Sequence, residues 1–119
     1  MEAFQLLSGD DSRIHVDDVY AKERGFERAI VYGGLMLAQL SYVLGQKIPG
    51  ELGHSGRWQI DYRRPLYCGD KATLSLEVTH LSKAMGVMEG RFRITARGVA
   101  IATGKVQSFV PPDEIAEDG

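Results

Sequence analysis

Residues 33–46 read G-G-L-M-L-A-Q-L-S-Y-V-L-G-Q, a helical length in which Leu35, Met36, Leu37, Leu40, Val43 and Leu44 spread apolar surface over most of the circumference. A helix apolar all round is expected to be buried all round, so the rest of the chain has to cover it. After Pro49-Gly50 the hydrophobic period changes from helical to two and stays there for most of the remaining chain. Near 57–66, Trp58, Ile60 and Tyr62 alternate with Gln59, Asp61 and Arg63, and Pro65 marks a strand end, edge or bulge. Near 72–81, Leu74, Leu76 and Val78 oppose Thr73, Ser75, Glu77 and Thr79. Met88, Gly90, Phe92, Ile94 and Ala96 then oppose Glu89, Arg91, Arg93, Thr95 and Arg97 on a third strand, reached through turn residues Lys83 to Gly86. Gly98 marks a tight hairpin into a fourth strand near 100–110. Short connections make neighbours antiparallel, which predicts an α+β fold: an antiparallel meander wrapped around one central buried helix.

The 119 residues suit one domain, expected over 1–112, followed by an acidic, flexible tail at 113–119. That tail, D-E-I-A-E-D-G, has little to bury. A net charge of −2 gives no long-range attraction to nucleic acid or to an anionic membrane, and neither partner is expected. No secretory signal opens the chain and no apolar run approaches the roughly 20 residues that span a bilayer, so a cytoplasmic protein is expected. The lone Cys68 excludes an intramolecular disulfide. His54 and His80, read as a loop and a strand residue, show no metal-ligand spacing with it or with each other, and no metal is expected.

The chemistry concentrates in S-G-D-D-S-R-I-H, residues 8–15, where Asp10 and His15 stand five residues apart. On one continuous helix they would be separated by roughly 500° of rotation, but Gly9 predicts a loop that can fold them together. A carboxylate and an imidazole sharing one water suit general acid–base work near neutral pH, although Asp beside Gly is also ordinary turn chemistry. Asp17 is expected to cap a short helix over 18–24 that holds the exit of this loop.

These segments resemble the MaoC-like family of (R)-specific enoyl-CoA hydratases and their hot-dog fold. The family motif runs roughly S-G-D-x-N-P-(I/L)-H before a short helix, and stands here as S-G-D-D-S-R-I-H-V-D. The likeness continues in order through G-F-E-R-A-I-V-Y-G-G-L, L-S-Y-V-L-G-Q-K-I-P-G and Y-R-R-P-L-Y-C-G-D, where the family shows F-x-x-P-V-x-x-G-D. The resemblance implies reversible syn hydration of a trans-2-enoyl thioester to an (R)-3-hydroxyacyl thioester, without cofactor or metal. Asp10 and His15 match the catalytic pair, Ser41 a helix serine lining the active site, and Gly33 the glycine whose N–H binds the thioester carbonyl. Ser12 and Tyr32 are carried with them as substrate-binding positions. Ser12 stands where the family has Asn, Arg13 where it has Pro, and Tyr32 where it has His. The family's N-terminal strand is expected to be absent, since the chain begins nine residues before Asp10.

An acyl thioester of coenzyme A or of an acyl carrier protein is the implied partner, with Arg57, Arg63, Arg64, Arg91 or Arg97 available to the carrier's phosphates. A homodimer or higher oligomer is expected, because hot-dog domains manage their sheet edges by pairing. The rival readings are a hot-dog thioesterase and a non-catalytic acyl-thioester-binding subunit. Thioesterases of this fold place a carboxylate on or beside the central helix, and residues 33–46 contain none.

Overall fold

The computed structural model describes residues 1–111; the acidic tail at 113–119 lies outside them. In chain order the elements are α1 (Glu2–Ser8), α2 (Arg13–Val16), α3 (Asp18–Glu23), α4 (Gly33–Gln46), β1 (His54–Tyr62), β2 (Thr73–Ser82), β3 (Val87–Ala96) and β4 (Val99–Phe109). The strands form one antiparallel sheet in the order β1-β4-β3-β2. No strand precedes α4 among the described residues, and α1, which periodicity does not predict, leads into the motif loop.

The sheet is only partly a meander. β2, β3 and β4 follow as hairpins, and the β3–β4 turn places Arg97 and Gly98 at φ 53° and 75°, the paired left-handed geometry that matches strand twist. β1 instead pairs with β4, matching Tyr62 with Ala102 and Trp58 with Val106. The reason is the segment 63–72, which is not a hairpin. The Arg63 and Arg64 N–H groups both donate to the Ile101 carbonyl, at 2.8 and 3.1 Å, and the Leu66 carbonyl accepts from Val31 N–H at 2.7 Å. The chain therefore leaves the sheet after Tyr62, crosses past the segment before α4, and re-enters at the opposite edge. This also ends β1 four residues before the expected position, while its start extends back to His54, which is a strand residue rather than a loop residue.

α4 lays Met36, Leu40 and Leu44 onto Met88, Phe92, Ile94 and Ala96 of β3 and Ile101, Ala102 and Val106 of β4. Burying a side chain such as Leu40, with no exposed surface, contributes about 1.5–3 kcal/mol, so this seam is the main support of the fold. Trp58 and Ile60 from β1 and Leu74, Leu76 and Val78 from β2 pack around its margins, half-buried. Burial all round α4 does not occur. A sheet of four strands covers one side of a cylinder, and Leu35, Leu37 and Val43 stay half-buried while Ser41 and Tyr42 are exposed. No helix among the described residues is long and apolar enough to cross a membrane.

Candidate active site

Asp10 is wired by its own neighbours. α1 ends at Gly9, whose φ of 76° turns the chain, and the Ser8 hydroxyl accepts from Asp10 N–H at 3.1 Å while donating to the Phe4 carbonyl. Asp10 Oδ1 accepts from both the N–H and the hydroxyl of Ser12, at 2.9 and 2.5 Å. The Ser12 hydroxyl and then its N–H hold the Asp10 carboxyl below its ordinary range, against desolvation, and His15 adds a smaller pull in the same direction whenever it is protonated. Asp10 is thus an ionised carboxylate with Oδ1 committed to Ser12. Ser12, expected as a substrate contact, serves the carboxylate directly.

His15 comes from α2, a single turn, and Asp17 closes that turn by capping α3, its carboxylate accepting from Val19 and Tyr20 N–H at 3.0 and 3.1 Å. The predicted cap and helix therefore form. His15 Nδ1 lies 2.9 Å from the Ile30 carbonyl oxygen. A carbonyl only accepts, so in the neutral ring Nδ1 carries the proton and Nε2 presents its lone pair. Ile30 is itself held by a bridge to Tyr67 and by its N–H to the Ile14 carbonyl, which stiffens this support.

Tyr32 joins the loop to the helix. Expected among the substrate contacts, it is 2% exposed and belongs to the core of the site. Its ring stacks on His15 with centroids 4.1 Å apart and packs on Phe4 at 4.8 Å, and its hydroxyl donates to the Asp10 carbonyl at 2.6 Å. Burial, and then the nearby Asp10 and Asp11 charges, raise its pKa, so the hydroxyl remains a donor. Tyr32 is also the N-cap of α4, and its carbonyl accepts from Leu35 N–H at 3.1 Å. No side chain caps this helix, and the N–H groups of Gly33 and Gly34 have no acceptor among the described residues. A side chain at either position would have to displace an aromatic ring. A Cβ on Gly34 would lie 2.7 Å from the Phe4 ring, and one on Gly33 2.9 Å from the Tyr62 ring. Two free donors at the positive end of a 14-residue helix form a receptor for negative charge.

Asp10, Ser12, His15, Tyr32 and Gly33 thus meet in one region, and Ser41 does not join them. It lies eight residues beyond Gly33, roughly 12 Å along the helix, in a cleft of about 110 Å³ with Leu44, Gly45, Pro49, Trp58 and Ser108. Nor does its hydroxyl bond back to its own helix. Nearer the helix start, a cleft of about 170 Å³ between Leu35, Met36 and Gln39 on one side and Val31, Leu66 and Leu74 on the other is mostly apolar. The arginines divide by role. Arg64 donates to the Ala100 carbonyl and Arg63 to the Thr103 hydroxyl, Arg97 pairs with Asp70, and Arg57 and Arg91 lie on the polar face of the sheet. Cys68 is exposed, and no metal-ligand cluster occurs among the described residues. Phe4, the Ile30 carbonyl and Tyr62 escape a reading by sequence, because only their fold neighbours give them a part in the site.

A profile of the MaoC-like domain matches residues 1–98, the span that carries the Asp10 loop, α4 and the sheet. The chain belongs to the MaoC-like family. It is 35% identical over 114 residues to an (R)-specific enoyl-CoA hydratase of Aeromonas caviae, covering 92% of this chain and 82% of that protein. A second (R)-specific enoyl-CoA hydratase, from Rhodospirillum rubrum, is 29% identical over 91% of this chain and 75% of its own length. The solved (R)-hydratase from A. caviae superimposes on this MaoC-like chain with a TM-score of 0.86 and 32% identity, covering 92% of this chain and 84% of that one. Its hot-dog fold is the fold described above.

Proposed function

We propose that this MaoC-like protein is a cytoplasmic hydro-lyase that adds water to trans-2-enoyl thioesters, giving (R)-3-hydroxyacyl thioesters, and catalyses the reverse dehydration. The observation that carries the reading is the placement of an ionised Asp10 and a His15 with a bare Nε2 beside the uncapped start of α4. The thioester oxygen accepts from the Gly33 and Gly34 N–H groups, while the free Asp10 oxygen and His15 Nε2 hold one water at C3. As the water oxygen bonds to C3, the C2–C3 π electrons move toward the thioester, whose oxygen gains negative charge at the helix start. His15 Nε2 takes the water proton and returns it to C2, so one water is added and no proton is gained or lost. Asp10, with its basicity lowered by Ser12, orients the water and balances the imidazolium charge. The cleft beside Leu35 and Met36 offers the acyl chain an apolar wall, and the Ser41 cleft lies farther along the same helix.

Coenzyme A thioesters are the substrates best supported by the relatives' names, and an acyl carrier protein is the other possible presenter. The half-covered flank of α4, with Leu37, Val43 and Tyr42, favours a second copy of the chain as its cover. The absence of a carboxylate from α4 weighs against a thioesterase. Turnover of short and medium enoyl-CoA thioesters by wild type, Asp10→Asn and His15→Ala tests the reading. Each variant is expected to lose about 100- to 10,000-fold in kcat while retaining its circular dichroism spectrum. Equal activity in all three, or thiol release from saturated acyl-CoA without hydration, would reject it.

A further inference from the structure

Tyr62 ends β1 as a residue 49% exposed, yet its hydroxyl donates to the Gly33 carbonyl at 2.8 Å and its ring covers the Gly33 α-carbon. That carbonyl and the Gly34 N–H belong to one planar peptide unit, in which a trans bond points them in opposite directions. A group that fixes the carbonyl therefore aims the N–H. Such fixing matters here because two successive glycines carry the largest backbone freedom of any pair, and α4 has no side-chain cap to restrain them. The carbonyl has a second lone pair, so the tyrosine bond coexists with the helical one.

We propose that Tyr62 is a positioning residue that orients the Gly34 N–H toward the thioester oxygen, an inference resting on the hydratase reading above. Burial raises the Tyr62 pKa, which keeps the hydroxyl a donor through the neutral range. The family motif F-x-x-P carries no hydroxyl at this place, so the bond is a feature of this chain's own helix start.

The test compares wild type, Tyr62→Phe and Tyr62→Leu by steady-state enoyl-CoA hydration, thermal denaturation and the isotope-edited vibrational frequency of the thioester carbonyl in bound saturated acyl-CoA. Tyr62→Phe is expected to lower kcat about 3- to 10-fold, less than the roughly 100- to 1,000-fold of a donor lost outright. KM and the denaturation midpoint stay near wild type, and the bound carbonyl frequency moves back toward its value in water. Tyr62→Leu shows the same carbonyl change with a lower midpoint, since the ring's cover is lost too. A Tyr62→Phe protein with wild-type kcat and carbonyl frequency, or one changed only in midpoint and KM, overturns the proposal. Should wild type bind acyl-CoA and hydrate nothing, the hydratase reading falls by itself, and the carbonyl frequency of Tyr62→Phe still decides whether Tyr62 aims the donor.

Discussion

The Tyr32 ring lies against the His15 imidazole at 4.1 Å, with 28° between their planes, while the Tyr32 hydroxyl reaches the Asp10 carbonyl at 2.6 Å. One side chain thereby touches both proposed catalytic residues, and it does so from the cap of the helix whose free N–H groups are proposed to receive the thioester oxygen. Arg13 stands where the family motif has a loop-stiffening proline, and the Tyr32 hydroxyl ties the loop from outside it.

Tyr32→Phe keeps the stack on His15 and removes the bond to Asp10. The expected result is a loss of about tenfold in kcat with a nearly unchanged denaturation midpoint, because the ring still fills its site. Tyr32→Ala empties that site and is expected to lower both the midpoint and the activity. Steady-state hydration assays beside thermal melts check the pair.

Ser12→Ala removes the largest influence on the Asp10 carboxyl and leaves the Ser12 N–H in place. The Asp10 pKa is then expected to rise toward its ordinary 3.8 and to stay below it, because the remaining N–H bond outweighs desolvation. A carboxyl-carbon NMR titration of Asp10 in wild type and Ser12→Ala measures this directly. Coincident curves would show that the hydroxyl bond contributes nothing to the charge state.

Asp70 anchors the crossover segment. It accepts from Tyr67 N–H at 2.9 Å, pairs with Arg97 and lies 4.0 Å from Arg28, while the Tyr67 ring packs under both guanidinium groups at 4.8 and 5.3 Å. The Tyr67 N–H, followed by the Arg97 hydrogen bond and charge and then the Arg28 charge, lowers the Asp70 pKa, with desolvation opposing. A folded-state value below the unfolded 3.8 means that the stabilisation is present above pH 3.8 and is lost as pH falls through the folded value. Asp70→Asn is therefore expected to be less stable than wild type near neutrality, with the gap closing as the solution is acidified below that point. Urea denaturation along a pH series reads the gap; a gap constant down to the lowest pH would exclude the ionised anchor.

Much of this architecture is legible along the chain. The bounds of α4 coincide with the predicted 33–46, since a largely apolar stretch at helical length between a Gly-Gly start and a Pro-Gly stop leaves few alternatives. β2, β3 and β4 fall within a few residues of their predicted spans, because period-two burial survives wherever one face meets the core. The Asp17 cap is equally local. β1 shows the limit of such reading: its alternation is visible, but its pairing with β4 rather than β2 depends on the bonds that draw residues 63–72 across to Ile101 and Val31.

The candidate site divides along the same line. Sequence alone determined the local chemistry, in which Gly9 turns, Asp10 bonds Ser12 two residues on and Gly33-Gly34 opens a helix, because each depends on neighbours within a few bonds. Tertiary structure alone decided that His15 receives its tautomer from Ile30, that Tyr32 braces Asp10 from 22 residues away and Tyr62 the Gly33 carbonyl from 29, and that Ser41 lies in a separate cleft. Contacts of that kind follow from which surfaces pack against one another. Packing is settled by burying the faces of α4 and the sheet together, and no periodicity or spacing in the chain encodes its outcome.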